Sequence, residues 1–337
     1  MTAPKTIDMA MAKSLLPHRE AGAHKWGVGG VLVVAGSPMY PGAAWLASRA
    51  ASRAGAGIVI LASGRGVIGT LAGSIPEVAH VILPESDSQS GSKRTLELVQ
   101  EKLEKVKAVV IGPGLGDDES AAALLGTLLG HGRTPTKARE NIGFGIRHRV
   151  VVDDNGSIQV ATPENETATG ALFAEGSIPV VIDADALNWL AQQDDWWTGF
   201  PKGQAVLTPH VGELARLLDL ETSVILGSPQ QHAEEAAKRW SQIVVLKAGR
   251  TFATDGETTV IAETESHVLA TAGSGDVFAG TIGALLAQGL APLDAATLAI
   301  YIGTTAAATL AETFGESGVI ASDIPDAIAR ATHNLAS

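Results

Sequence analysis

Gly273, Ser274, Gly275 and Asp276 stand in a row within LATAGSGDVFAGTIGALLAQG, the stretch from Leu269 to Gly289. After them Val277, Phe278, Ile282, Leu285 and Leu286 recur at helical spacing, and Gly289 follows as a stop, so the spacing predicts a helix entered through a small-residue turn. The first backbone N–H groups of a helix have no acceptor within it and lie at the positive end of its dipole, which suits a phosphate that gains charge during transfer. A carboxylate beside such a site repels the ligand unless it takes a proton from a hydroxyl or orients one, which is general-base work. A plainer reading has equal standing on these residues alone: Asp276 complements the helix dipole and the glycines only turn the chain.

Other residues of chemical interest fall where strands end. Ala108–Ile111 is a short apolar strand running into Gly112, Pro113, Gly114, Leu115 and Gly116; the spacing matches neither the dinucleotide fingerprint nor the P-loop, so by itself it reads as a tight turn. After Val180–Ile182 come Asp183 and Asp185, acids at a strand end where a helix begins and where one of them can serve merely as a cap. AVLTPHVGELARLL sets Thr208, Pro209 and His210 at a strand end, then Gly212 and Glu213 at the entry to an amphipathic helix. That position favours a functional His210 over a structural one. Ile243–Leu246 ends in Lys247, a side chain that either binds phosphate as a point charge or reaches solvent.

The elements that must position these residues form a repeating pattern. Val31–Ala35, Ile58–Ala62, Val78–Leu83 and Ala108–Ile111 read as strands, with helices over Ala43–Ala54, 93–105 and 118–129 between or after them. Buried strands alternating with helices indicate a largely parallel sheet covered on both faces. Farther on, Lys247 to Thr251 lead into a hairpin turning at Asp255 and Gly256, 293–314 is an Ala-rich helix, and a last short helix is capped by Ser322 or Asp323. Residues 1–27 form a polar arm that need not be structured alone. Residues 131–177 break the rhythm: they are polar and turn-rich, with a hairpin expected from Val150–Val152 to Ile158–Val160 around Asp154, Asn155 and Gly156. They read as a surface insertion in a single domain, 1–337, with His131 and His148 as solvated loop residues.

Composition narrows the function classes. The 337 residues are 45% hydrophobic but only 4% aromatic, as expected of an α/β core built on close helix-on-sheet packing. A net charge of -12 argues against nucleic acid and anionic membranes as partners. The chain holds no Cys, which removes disulfides, thiol nucleophiles and Cys-based metal sites. No apolar run reaches the roughly 18 residues of a membrane span, and no signal-peptide core is evident near Met1, so a cytoplasmic location is expected.

Taken together, VLVVAGSPMYPGAAWLASRAASRAGAGIV, AVVIGPGLG, VVIDADALN, VLTPHVGELARLL, VVLKAGRT and ATAGSGDVFAGTIGALLAQG resemble, in order, the motifs of the ADP-dependent NAD(P)H-hydrate dehydratases. These are repair enzymes with a carbohydrate-kinase-like domain of the ribokinase-like superfamily. The resemblance covers roughly residues 14–130 and 178–335 and implies a three-layer ribokinase-like α/β fold. It makes Asp276 the catalytic base and Gly273, Ser274 and Gly275 the anion hole. It assigns the hydrated nucleotide, NADHX or NADPHX, to Ala43, Gly114, His210 and Asp276. ADP, with ATP possible, falls to Lys247, Ala248, Gly249, Arg250, Thr251 and Gly275, and Glu213 helps hold Mg²⁺ through water. Lys247 and Ala248 stand for the family's lysine-glycine pair, and Gly273 and Ser274 for its glycine-threonine. The reaction implied returns NADH or NADPH and releases AMP and phosphate. A homo-oligomer, with tetramer the specific expectation, and functional pairing with a separate NAD(P)HX epimerase are implied as well. Two alternatives stand beside it: a small-molecule kinase of hydroxyethylthiazole or pyridoxal type, and a nucleotide-binding regulator without chemistry.

Overall fold

The structure, a computed structural model, describes residues 3–84, 89–131, 150–152, 158–160, 168–173, 178–263 and 267–337. Among these, ten strands make one sheet. They are β1 (Lys5–Thr6), β2 (Gly30–Val34), β3 (Ile58–Gly64), β4 (Ala79–Leu83), β5 (Ala108–Ile111), β6 (Val180–Ile182), β7 (Ala205–Leu207), β8 (Ile243–Leu246), β9 (Phe252–Thr254) and β10 (Thr259–Ile261). Their order across the sheet is β1-β10-β9-β8-β7-β6-β5-β2-β3-β4. From β4 to β8 every pairing is parallel; β9 pairs antiparallel with β8 and β10, as the expected hairpin requires.

The unbroken apolar runs follow from burial on both sides. Val31 and Val33 of β2 join one core cluster with Val110, Val181 and Val245, whereas Leu32 and Val34 join the other with Val109, Ile111, Ile182 and Leu246. Alternate residues therefore face opposite helical layers, and each must be apolar. Seven helices position the site: α1 (Pro41–Arg53), α2 (Glu119–Leu129), α3 (Asp185–Leu190), α4 (Val211–Leu218), α5 (Ser274–Ala287), α6 (Pro292–Phe314) and α7 (Ile324–Ala336). Helices α1 and α5 cross so closely that a Cβ at Gly280 would lie 2.1 Å from the Ala47 carbonyl oxygen. The 23-residue α6 is apolar and long enough to cross a membrane by length and composition, contrary to the expectation from sequence. Its residues Ala295, Leu298, Ala299, Ile302 and Ala306 are core residues of this fold.

Strand order reverses across the β2–β5 boundary: β2, β3 and β4 step outward to one edge, then β5 returns to the other side of β2. In open α/β sheets such a switch point leaves a crevice at the carboxyl ends of the strands. Here it lies between the turn after β2, which leads into α1, and the glycine-rich turn after β5.

The N-terminal arm, which need not be structured alone, finds its place on the sheet, and one other expectation is revised. The N-terminal arm is docked: β1 pairs in parallel with β10 at the sheet edge, and Ile7 and Ala12 are buried. The stretch 131–177 does not lie wholly outside the core, since Leu172 and Phe173 are buried and the Phe173 ring stacks 4.1 Å from Phe200. The expected hairpin is present, with Val150–Val152 paired to Ile158–Val160. A second antiparallel ladder joins Gly130 and His131 to Thr169 and Ala168. His148 and the turn Asp154 to Gly156 lie outside the described residues.

Candidate active site

The parallel register of β6, β7 and β8 brings three strand-end residues together. Ile182 pairs with Leu207, so Asp183 and Thr208 emerge side by side, and His210 bridges to Lys247 just beyond β8. The Lys247 Nζ lies 2.8 Å from the Asp183 Oδ1, and the Thr208 hydroxyl donates to the same oxygen at 2.6 Å. Asp183 is only 1% exposed. A Cβ at Gly275 would sit 3.3 Å from the Lys247 Nζ and 3.8 Å from the Asp183 Oδ2, so the ammonium and its partner lie directly over the first turn of α5.

That turn has the form expected from its residues. Gly273 takes a left-handed conformation, φ 91°, at the N-cap, where a side chain would be strained. The Ser274 N–H donates to the Thr271 carbonyl and the Val277 N–H to the Gly273 carbonyl, so of the first four N–H groups those of Gly275 and Asp276 are left without an acceptor inside the turn. The Ser274 hydroxyl donates to the Leu269 carbonyl at 2.7 Å and supports the turn from within. Asp276 stands in this first turn with its carboxyl pushed up to about 7, by burial first and then by the nearby charges of Asp183 and Asp185, against the pull of Lys247. A group poised there can accept a proton at neutral pH.

His210 is the N-cap of α4: its Nδ1 accepts from the N–H groups of Gly212 at 3.0 Å and Glu213 at 3.3 Å. Glu213 completes a capping box, its Oε2 accepting from the His210 N–H at 2.8 Å, while Oε1 lies 3.3 Å from the His210 Nε2. Burial, together with the charges of Lys247 and Arg216, holds the imidazole below its ordinary range. The Nδ1 thus stays an acceptor and the ring neutral. Burial raises the Glu213 carboxyl to about 7. Burial opposes the charge of Lys247, but Asp183, Glu213 and Asp276 outweigh it and hold its pKa above the usual value. Neither aspartate caps α3; the cap is Ala184, held at φ 48°, and Asp185 instead accepts from the Gly116 N–H at 2.8 Å. A non-glycine residue in that conformation is strained, and the acids on either side of it are held by their own contacts, Asp183 with Thr208 and Lys247 and Asp185 with Gly116.

A cavity of about 410 Å³ opens beside this group, lined by His210, Lys247, Ala248, Gly249, Thr251, Ser274 and Gly275 at its polar end and by α6 and α7 side chains such as Ile300 and Ile324 at its apolar end. Six of the residues assigned from sequence to nucleotide and anion binding thereby share one wall, joined by His210. Arg250 does not line it; its guanidinium donates to the Ala262 carbonyl. Ala43 and Gly114 meet on the opposite side, at the switch point, where a Cβ on Gly114 would come within 2.6 Å of the Ala43 Cβ and 2.9 Å of the Tyr40 Cβ. Asp276 stands between the two regions: its Oδ2 is 3.7 Å from the position a Gly273 Cβ would take, which itself abuts Leu46 on α1. Among the described residues no three His, Asp or Glu side chains converge as a metal site. Those residues therefore offer Mg²⁺ no site built from protein ligands alone.

Asp183, Asp185 and Thr208 were not singled out as site residues by sequence, although their place at consecutive parallel strand ends was a signal. What hid them was that Asp and Thr before a helix also fit capping.

The comparisons with known proteins agree with this geometry. The model of the family described as NAD(P)H-hydrate dehydratase matches residues 31–134 and 162–330. A bifunctional NAD(P)H-hydrate repair enzyme Nnr of Moorella thermoacetica is 35% identical over 333 residues, which are 98% of this chain and 54% of that protein. The chain thus spans about half the length of such relatives. An ADP-dependent (S)-NAD(P)H-hydrate dehydratase of Xanthomonas campestris pv. campestris is 28% identical over 96% of both chains. In structure, the ADP/ATP-dependent NAD(P)H-hydrate dehydratase of Bacillus subtilis, co-crystallised with ATP/Mg²⁺, superposes with a TM-score of 0.72 at 24% identity, covering 99% of this chain and 100% of that one, which supports the ribokinase-like fold. With the family model spanning most of its length, the chain belongs to the NAD(P)H-hydrate dehydratase family.

Proposed function

We propose that this protein uses ADP to dehydrate (S)-NADHX and (S)-NADPHX, returning NADH and NADPH with release of AMP and phosphate. The observation that carries the reading is the position of Asp276: a carboxyl raised to about 7 in the first turn of α5, between the nucleotide-sized cavity and the Ala43–Gly114 crevice. The adenine nucleotide occupies the cavity, its base between the apolar side chains of α6 and α7 and its phosphates at the Gly273–Gly275 turn. The hydrated nicotinamide ring enters from the crevice. Asp276 takes the proton of the ring hydroxyl as that oxygen attacks the terminal phosphorus of ADP, and AMP leaves with the bridging oxygen. The N–H groups at the start of α5 and the Lys247 ammonium stabilise the charge that builds on the phosphoryl oxygens. The ring nitrogen lone pair then expels phosphate, and loss of a proton from the adjacent carbon restores the dihydropyridine. Mg²⁺ on the nucleotide would screen the phosphates, and the residues fit it only indirectly.

The proposal extends to a cytoplasmic homotetramer served by a separate epimerase for the other hydrate isomer; static light scattering checks the assembly. The activity is tested by adding hydrated NADH with ADP and following the absorbance of the reduced nicotinamide. Recovery that depends on ADP supports the reading, and none at any nucleotide concentration contradicts it.

A further inference from the structure

The placement of Asp183 poses an electrostatic problem. Its carboxylate is 1% exposed and lies against Gly275, at the end of α5 that ought to receive an anion. A buried negative charge there opposes phosphate binding and is costly to desolvate, and α3 does not use it as a cap. Its partners supply the reason. One oxygen, Oδ1, takes both the Thr208 hydroxyl at 2.6 Å and the Lys247 Nζ at 2.8 Å. Lys247 has other acids in range: Glu213 and Asp276 both act on its charge. Yet among the described residues the ion pair it makes is with Asp183 alone.

We propose that Asp183 is a positioning residue: anchored by Thr208, it holds the Lys247 ammonium over the Gly275 turn and keeps it from closing an ion pair with the base Asp276. A flexible lysine stem next to a free carboxylate would otherwise collapse onto it, and a base locked in a salt bridge accepts protons poorly. Asp183 thus separates a cation that must meet the phosphoryl group from an anion that must stay available to the hydroxyl. The groups facing Asp276 are Asp183 just after β6, Asp185 at the start of α3, and Lys247 from the end of β8. One step away are His210, which caps α4, and Glu213 and Arg216 of α4, with His210 and Glu213 both feeling the charges of Lys247 and Asp183.

This inference rests on the proposed dehydratase reading, and its test is arranged to separate the two. In Asp183→Asn, kcat should fall by roughly tenfold or more, a partial loss of general-base catalysis, and the acid limb of the kcat profile should move to lower pH. Both consequences of the change, loss of a neighbouring negative charge and approach of Lys247, favour ionised Asp276. Asp183→Glu, which keeps the charge, should return the limb toward its wild-type position with part of the rate. A rate loss with an unmoved limb would assign Asp183 a structural role and overturn the proposal, as would an unchanged rate or a limb displaced upward. The titration of Asp276, followed by carbon-13 NMR of aspartate-labelled protein with Asp276→Asn as assignment control, needs no turnover. It decides the inference even where wild-type protein fails to restore NADH and the dehydratase reading falls. Should Asp183→Asn not fold, an ordinary carboxylate titration for Asp276 in the wild-type protein overturns the proposal, and one near neutrality upholds it together with the Asp183→Glu limb.

Discussion

Ionisation of Asp276 has two opposed consequences, one for rate and one for stability. As a base it works only when ionised, so the acid limb of kcat/KM should lie near pH 7, with rate rising as pH increases through it. As a buried acid it destabilises the fold when ionised. Its folded pKa is raised above the unfolded value, so its stability contribution is full below the ordinary carboxylate range and is lost as pH rises through about 7. Asp276→Asn should therefore bind ADP nearly as well as wild type, turn over at least about a hundredfold more slowly, and melt at a higher temperature, with a larger gain at pH 8 than at pH 5. Calorimetric melting and ADP titration on one preparation check this; a variant that melts lower at pH 8 would show that Asp276 is a structural dipole partner. At this scale the sequence was informative about Asp276, Lys247 and His210 because each stands alone of its type beside glycine or proline turns. It was not informative about His210 as a cap, since histidine is not among the usual N-cap residues, or about Asp183 as the partner of Thr208 and Lys247, since those contacts depend on which strands become neighbours.

Among the elements, the pairing of α1 with α5 sets the distance between the crevice and the phosphate turn. Gly280 allows that approach, with a Cβ there falling 2.1 Å from the Ala47 carbonyl oxygen. Gly280→Ala should force the helices apart and lower stability by about 1–3 kcal/mol, with activity reduced because Asp276 and Ala43 separate. Urea denaturation checks the first part, and an unchanged midpoint would mean that the helices slide without loss. Gly275→Ala should act differently. Its Cβ would meet the end of the Lys247 side chain at 3.3 Å, so folding should survive while affinity for ADP falls. The strands were legible because two-sided burial forces Val-, Ile- and Leu-rich runs, and Ala108–Ile111, Val180–Ile182 and Ile243–Leu246 were read to the residue. The docking of β1 was not, because Lys5 and Thr6 are both exposed and carry no apolar pattern; backbone pairing at the edge of β10 holds them.

For the whole molecule, the excursion between α2 and β6 marks the limit of what patterning can locate. Polar composition from 131 to 177 suggested one surface segment, but the buried pair Leu172 and Phe173 sits at its end without periodicity to announce it. The ladder of Gly130 and His131 with Thr169 and Ala168 brings the ends of 132–167 side by side. Replacing 132–167 by a short Gly/Ser turn should preserve cooperative unfolding and activity. Extending the deletion through Gly176 should lower stability by about 3–5 kcal/mol for the lost Phe173 ring alone. Thermal melts of the two deletions check the boundary. One reaction joins the cavity, Asp276 and the crevice, and its stoichiometry is the most direct measurement of it. With purified protein, ADP and hydrated NADH, the products NADH, AMP and phosphate should appear together, one of each per turnover, and none should appear with Asp276→Asn on the same timescale. AMP formed with a phosphorylated ring product and neither NADH nor free phosphate would contradict it and make the protein a kinase.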